Sequence, residues 1–159
     1  MGWAAFSVGG DGLEIKEVRL CDGTARELIA LSADWEAEGS CHGYRKNEYG
    51  DLEGNRIFLA EENGAILGYL FGKVEKARAA SSVMEEGTPC FEVEELYVKP
   101  AHRSKGVGAA LFRYAEEAVR AEAEFITLST ATKNFRAILH FYIDELGMEF
   151  WSAQLFKKL

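Results

Sequence analysis

Arg103-Ser104-Lys105-Gly106-Val107-Gly108 decides how this chain is read. The stretch comes after an apolar, strand-like segment, Phe91 to Val98, and opens a strongly periodic helix. Two glycines let the backbone turn tightly and bring its amides close to a ligand. A helix N-terminus just behind a strand offers unpaired N–H groups and a dipole that favours an anion. The turn is therefore expected to hold the phosphates of a cofactor.

Two common phosphate loops are excluded by spacing. A Walker loop ends in Gly-Lys-Ser/Thr, and here Lys105 precedes Gly106. A dinucleotide fingerprint needs a third glycine or alanine, where Gly106-Val107-Gly108-Ala109-Ala110-Leu111 has Leu111. What remains is Arg-x-x-Gly-x-Gly followed by Ala-Ala-Leu.

Working outward, the apolar residues Val107, Ala110, Leu111, Tyr114, Ala115 and Ala118 recur at helical spacing, with Arg113, Glu116, Glu117 and Arg120 on the other face. Phe125 to Leu128 reads as a strand. Asn134 opens a second helix with Phe135, Ile138, Leu139, Tyr142 and Leu146 on one side, stopped by Gly147. Met148 to Leu159 is expected to return as one or two strands. Upstream, Leu13 to Leu20 reads as a strand. Thr24 to Glu27 matches a capping box before a helix through Trp35. A short helix is expected near Tyr44 to Tyr49. Arg56 to Glu61 and Ala65 to Val74 read as a hairpin turned at Glu62-Asn63-Gly64, and Glu75 to Pro89 as a loop. Helices interleaved with hairpin-connected strands predict a mixed-sheet α/β or α+β domain.

Composition narrows the classes. At 159 residues, 48% hydrophobic and 28% charged, the chain reads as one ordinary globular domain over 13–159, with 1–12 as a loose lead-in. No apolar run is long enough to span a bilayer, and Met1 to Asp11 lacks the pattern of a signal peptide. Cys21, Cys41 and Cys90 are an odd number without a Cys-x-x-Cys pair, and His42, His102 and His140 share no ligand spacing. That argues against a metal site and fits a reducing cytoplasm. A net charge of −8 disfavours nucleic acid and anionic membranes as partners and is compatible with a cationic substrate.

The turn with its Ala-Ala-Leu continuation, Leu96-Tyr97-Val98-Lys99-Pro100 before it, and Asn134, Ala137 and Phe141-Tyr142 through Leu146-Gly147-Met148 after it resemble the GNAT N-acetyltransferase superfamily, in order and spacing. The resemblance covers nearly the whole chain from about Leu13. It implies a mostly antiparallel central sheet flanked by helices, splayed between the strands around 91–98 and 125–130. It also implies acetyl-coenzyme A as co-substrate, without a metal. In such a fold the free edge at Leu96, Tyr97 and Val98 binds the acetyl-pantetheine arm. The amides of Arg103, Ser104, Lys105, Gly106, Val107, Gly108 and Ala109 bind the pyrophosphate, and Asn134, Ala137 and Phe141 line the cofactor.

The implied reaction is direct acetyl transfer to a primary amine. The resemblance assigns Tyr142 as the acid that protonates the departing thiolate; by periodicity alone Tyr142 would be a core residue. An alkylamine is mostly protonated at neutral pH, so a base helps. Strand alternation puts Glu92 and Glu94 on one face of the cofactor strand and Glu95 on the other. Glu92 and Glu94 are the candidate bases; a local bulge would bring in Glu95, and a water chain is the remaining option. The acceptor, a small molecule or peptide and cationic if the acidity reflects recognition, is expected beside Asp34, Trp35, Glu36, Glu38, Tyr44, Tyr49, Phe150 and Trp151. The competing readings are a non-catalytic coenzyme A-binding domain and an acyltransferase of other acyl or acceptor type. The aromatic C-terminal segment could also serve a homodimer.

Overall fold

A computed structural model describes residues 6, 7 and 12–159 of the chain. Its sheet has six strands in sequence order: β1 (Phe6–Ser7), β2 (Leu13–Val18), β3 (Arg56–Glu62), β4 (Ala65–Lys76), β5 (Pro89–Val98) and β6 (Phe125–Leu128). Neighbours are antiparallel except β5 and β6, which run parallel because a helical crossover joins them. The helices are α1 (Asp22–Glu38), α2 (Tyr49–Leu52), α3 (Val107–Val119) and α4 (Phe135–Leu139), the last continued by a π-helical turn over His140–Glu145. Part of the expected lead-in, Phe6–Ser7, pairs with β2; the rest of 1–11 lies outside the described residues.

Local chemistry fixes most boundaries. The β3–β4 turn takes positive φ at both Asn63 (50°) and Gly64 (77°), the hairpin geometry their sequence predicts. Helix α1 begins earlier than the Thr24 capping box implies. Cys21 is its N-cap, with Sγ accepting from the Thr24 amide at 3.5 Å, and Gly39 ends it in the left-handed region. The short helix expected near Tyr44 to Tyr49 starts only at Tyr49, where Glu48 and Asp51 form a capping box.

The sheet separates two cores. Toward α3 lie Ile15, Phe58, Leu70, Phe91 and Val93 with Val107, Leu111 and Phe112 of the helix. Toward α1 and α2 lie Ile57, Leu59, Tyr69, Phe71 and Tyr97 with Leu28, Leu31 and Leu52. Truncating a fully buried leucine such as Leu111 or Leu28 to Ala should cost about 2–5 kcal/mol.

Two irregularities mark β5. Its pairing with β6 covers only Cys90–Val93, so Glu94 to Val98 have no partner on that side among the described residues. On the other side Phe71 pairs with Glu95 but Gly72 pairs with Val93, so Glu94 is an extra residue. Gly72 permits this bulge: a Cβ there would lie 2.2 Å from the Glu92 carbonyl oxygen.

The C-terminal expectation is corrected. Met148 to Leu159 forms no strand. Trp151 donates to Ser82 Oγ at 3.1 Å and Phe156 packs edge-on against His42. A groove of about 1080 Å³, lined by Phe125 to Thr130 on one side and Met148 to Ser152 on the other, lies between the segment and β6, and no ladder forms across it.

Candidate active site

The turn after β5 supplies a row of free donors. Gly106 adopts φ 82° and Ser104 φ 58°, which folds the chain back and aims successive amides outward. The amides from Ser104 to Ala109 make no hydrogen bond among the described residues; the next, Ala110, bonds Gly106 O at 2.9 Å. Gly108 is needed for close approach, since a Cβ there would meet the Phe141 ring at 3.3 Å. This is the site geometry expected for an anion at the head of α3.

The charges beside the turn are arranged differently from the simple expectation. Arg103 is paired with Glu38 at 2.8 and 2.9 Å, and its Nε donates to Val98 O at 2.8 Å. Tyr97 donates to the same Glu38 carboxylate at 3.0 Å, and the guanidinium lies over the Tyr97 ring. Arg103 thus ties the C-terminal end of α1 to the end of β5. Lys105 donates to Ala101 O at 2.8 Å and stays exposed.

Leu96 and Val98 turn toward α3, and Tyr97 is buried toward α1. Val107 is buried at the start of α3, and Ala109 is half-buried beside it. Asn134 stands at the N-cap of α4, yet its side chain makes no cap bond, leaving the amide available. Ala137 is exposed one turn on. Phe141 packs on Gly108 and on Tyr142, with ring centroids 5.0 Å apart in the latter pair.

Tyr142 lies inside the π-helical turn, whose carbonyls bond five and six residues on: Leu146 N to Phe141 O and Met148 N to Tyr142 O. π-turns of this kind often re-aim a functional side chain. Its ring packs against Phe112 at 6.1 Å, and burial pushes its phenol up to about 12, with Cys41 a further contributor. The hydroxyl therefore remains a proton donor throughout the neutral range.

The strand carboxylates do not follow simple alternation, because the bulge intervenes. Glu92 is exposed and opposite Lys73. Glu94 is exposed and pairs with Lys73 Nζ at 3.3 Å. Glu95 is carried to the α1 side, where Oε2 accepts from Asn47 Nδ2 at 2.9 Å and Tyr69 Oη at 2.8 Å. Burial raises its carboxyl pKa, opposed in part by those hydrogen bonds. The Asn47 backbone is held in turn by Ser32 Oγ at 2.9 Å. Trp35 stacks between Tyr44 at 4.3 Å and Tyr97 at 5.4 Å. Sequence reasoning missed Asn47, Tyr69 and Ser32: each sits in a polar loop or an apolar run whose pattern reports burial rather than a shared partner.

A strap closes one side of the split. Cys41 bridges Thr132, His42 N bonds Ala131 O at 2.9 Å, and Lys133 N bonds Ser40 O at 2.8 Å. Lys133 Nζ adds a bond to Gly39 O at 2.7 Å. The loop between α1 and α2 is thereby joined to the segment that leads into Asn134. Among the described residues no group of His, Cys, Asp and Glu could hold a metal ion, and no helix is long and apolar enough to cross a membrane.

Comparison with known proteins places this geometry. Residues 24–148 match the model of the Acetyltransferase (GNAT) family. No curated protein matches the chain. Among solved structures, an aminoglycoside acetyltransferase from an uncultured soil metagenomic sample, in complex with sisomicin, is 17% identical with a TM-score of 0.67, covering 93% of this chain and 97% of that one. An acetyltransferase of Trypanosoma brucei is 17% identical with a TM-score of 0.64, covering 92% and 99%. A ribosomal-protein-alanine N-acetyltransferase of Brucella melitensis biovar Abortus 2308 gives the same 17%, 0.64, 92% and 99%. At such identities the likeness is one of fold, and the family match completes it: this chain belongs to the GNAT acetyltransferase family.

Proposed function

We propose that the protein moves an acetyl group from acetyl-coenzyme A directly to a primary amine. The observation that carries this reading is unpaired backbone on both sides of one short turn. Among the described residues the β6-side edge of β5 has no strand partner from Glu94 to Val98, Val98 O accepting only from Arg103 Nε, and beyond the bonded amides of Lys99, His102 and Arg103 the amides of Ser104 to Ala109 are free. An extended arm ending in a pyrophosphate needs that sequence of partners. The open edge would take the amides of pantetheine, and the turn would take the phosphates. Asn134, Ala137 and Phe141 border the same track from the α4 side.

Tyr142 is the proton donor in this reading. Its phenol is neutral at working pH and can protonate the thiolate as the carbon–sulfur bond breaks. A β5 carboxylate takes the proton of the amine, Glu92, Glu94 and Glu95 being the three available. The negative charge of the chain and the aromatic residues near α1 suit a cationic acceptor, small molecule or peptide. The fold neighbours named for aminoglycoside and ribosomal-protein-alanine acetylation act on amines, which supports the same acceptor class.

The test is a thiol-release assay with acetyl-CoA and a panel of spermidine, kanamycin, L-lysine and an alanine-ended tetrapeptide, run beside a melting curve with and without acetyl-CoA. Thermal stabilisation together with amine-dependent thiol release is expected. Stabilisation without release from any amine would favour a coenzyme A-binding domain; faster release from propionyl-CoA would point to a different acyl donor.

A further inference from the structure

The acceptors along the unpaired edge of β5 are not all open. Lys99 N bonds Leu67 O at 2.8 Å, and Val98 faces Gly68 in the same register. Antiparallel pairs alternate between bonded and non-bonded. Val98 stands one step from a bonded pair, so its N–H and C=O point away from β4, toward the split between β5 and β6. Leu96, two residues earlier, faces the same way and has no strand partner there among the described residues. The Val98 carbonyl, by contrast, is occupied: Arg103 Nε donates to it at 2.8 Å. A side chain of this protein therefore stands on the last edge acceptor before the turn.

The guanidinium is held there from α1. Its Nη2 donates to both oxygens of Glu38, at 2.8 and 2.9 Å, and its face lies over the Tyr97 ring. The Tyr97 hydroxyl donates to the same carboxylate at 3.0 Å. The arginine fork is planar and rigid. Nε and Nη2 share one edge of it, so Nε cannot leave Val98 O without loosening Nη2 from Glu38. The Glu38 side chain is 21% exposed and that of Arg103 42%. Glu38 is thus the fixed partner, and Arg103 is the one with water to turn into. An extended arm that runs along this edge brings an amide N–H to the same carbonyl, and the two donors compete for it.

We propose that Arg103 is a latch over the end of the arm site, that Glu38 is the positioning residue that holds it closed, and that acetyl-coenzyme A binds by displacing Arg103 Nε from Val98 O. This rests on the acetyl-transfer reading above, which lays pantetheine on the β5 edge. The apparent affinity for the cofactor is then lowered by the fraction of molecules in which the latch stands open. The contact also joins two parts of the site. Glu38 is the last residue of α1, and Ser40, two residues on, begins the strap and accepts from Trp35 Nε1 at 3.2 Å. Opening the latch frees the end of α1 that leads into the strap, and through it to Tyr44 and Asn47. Because linkage is reciprocal, whatever holds that end of α1 against Arg103 weakens the cofactor by the same factor.

Two measurements on the full chain, both free of turnover, test it. In the first, the Arg103 Nε resonance is followed by nitrogen NMR while acetyl-CoA, or ADP, is titrated to saturation; ADP carries a pyrophosphate and no arm. The resonance should move with acetyl-CoA and stay in place with ADP. No movement with bound acetyl-CoA, the result if Val98 O accepts from both donors at once, overturns the latch, and equal movement with ADP overturns displacement by the arm. In the second, calorimetry compares acetyl-CoA binding among variants. Glu38→Gln should bind about tenfold more tightly, the worth of one charge-assisted hydrogen bond. Glu38→Asp, which keeps the charge, should stay nearer the native value. A contact that only braced the turn would give the opposite sign, so unchanged or weaker binding by Glu38→Gln defeats the proposal while leaving acetyl transfer standing. Absence of acetyl-CoA binding by the unsubstituted protein defeats the transfer reading itself, and the latch with it.

Discussion

The two faces of β5 obey different rules. Toward α3 the strand presents Phe91, Val93, Leu96 and Val98 to an apolar core, and the turn beyond carries the free amides of Ser104 to Ala109. Toward α1 it presents Glu95 and Tyr97, the first hydrogen-bonded to Tyr69 of β4 and to loop residue Asn47, the second to Glu38 of α1. In the proposed reading the first face would position a ligand with main chain, which any sequence carries. The second would do so with particular side chains, whose identity can change without disturbing the fold. A common donor and a variable acceptor would divide along this same line.

The largest effect that would sharpen the contrast is on the α3 face. Gly108→Asp puts a side chain against Phe141 and a negative charge beside the free amides. Saturating acetyl-CoA, at about 100 times Kd, should stabilise the native protein by about 2.7 kcal/mol; in the variant that stabilisation should vanish from the melting curve. Equal stabilisation of both proteins would falsify the phosphate assignment.

Next comes Tyr142→Phe, which keeps the ring packed on Phe112. A fall in kcat of about 10²-fold with unchanged acetyl-CoA affinity is expected; steady-state and binding measurements that change together would return Tyr142 to a purely packing role. In the unsubstituted enzyme the high phenol pKa also predicts no loss of rate from Tyr142 between neutral and mildly alkaline pH.

Two substitutions probe the α1 face at smaller scale. Gly72→Ala forces a Cβ onto the Glu92 carbonyl and should cost about 1–3 kcal/mol in a denaturant titration, by disturbing the bulge. Ser32→Ala strips the buried Asn47 amide of its acceptor and should cost a similar amount, about 1–3 kcal/mol. If Ser32→Ala proves neutral, the α1 face depends less on single side chains than its hydrogen bonds imply.

The smallest effect is a pH slope. The carboxyl pKa of Glu95 is raised in the fold, so the folded protein holds that proton more tightly than the unfolded chain does. Its contribution to stability is fully present below the ordinary value of 4.5 and is lost as pH rises through the folded value. Glu95→Gln should flatten that part of the stability curve. An unchanged slope would assign it to other groups.

The same contrast explains which features were legible in the sequence. The glycine turn, the periodicity of α3 and the Asn63-Gly64 hairpin are local signals, and each appears where its residues predict. The bulge at Glu94 is not local: it depends on Gly72 lying across the ladder, and one extra residue reverses the face of Glu95 relative to strict alternation. The partners Asn47, Tyr69 and Ser32 come from a loop, a strand and a helix that share no spacing. The C-terminal segment carries strand-like residues, but its contacts run to Ser82 and His42, distant positions that no local pattern announces.

The strap between Ser40–His42 and Ala131–Lys133 makes two loops into one unit of variation. One loop leads to Tyr44 and Asn47, on the proposed acceptor side, and the other to Asn134, on the proposed donor side. An insertion in either, unmatched in the other, would break backbone bonds linking segments far apart in the chain. Relatives that alter their acceptor by lengthening the first loop should therefore carry a compensating change in the second. Grafting an acceptor site from one member of the family to another should succeed only when both loops travel together.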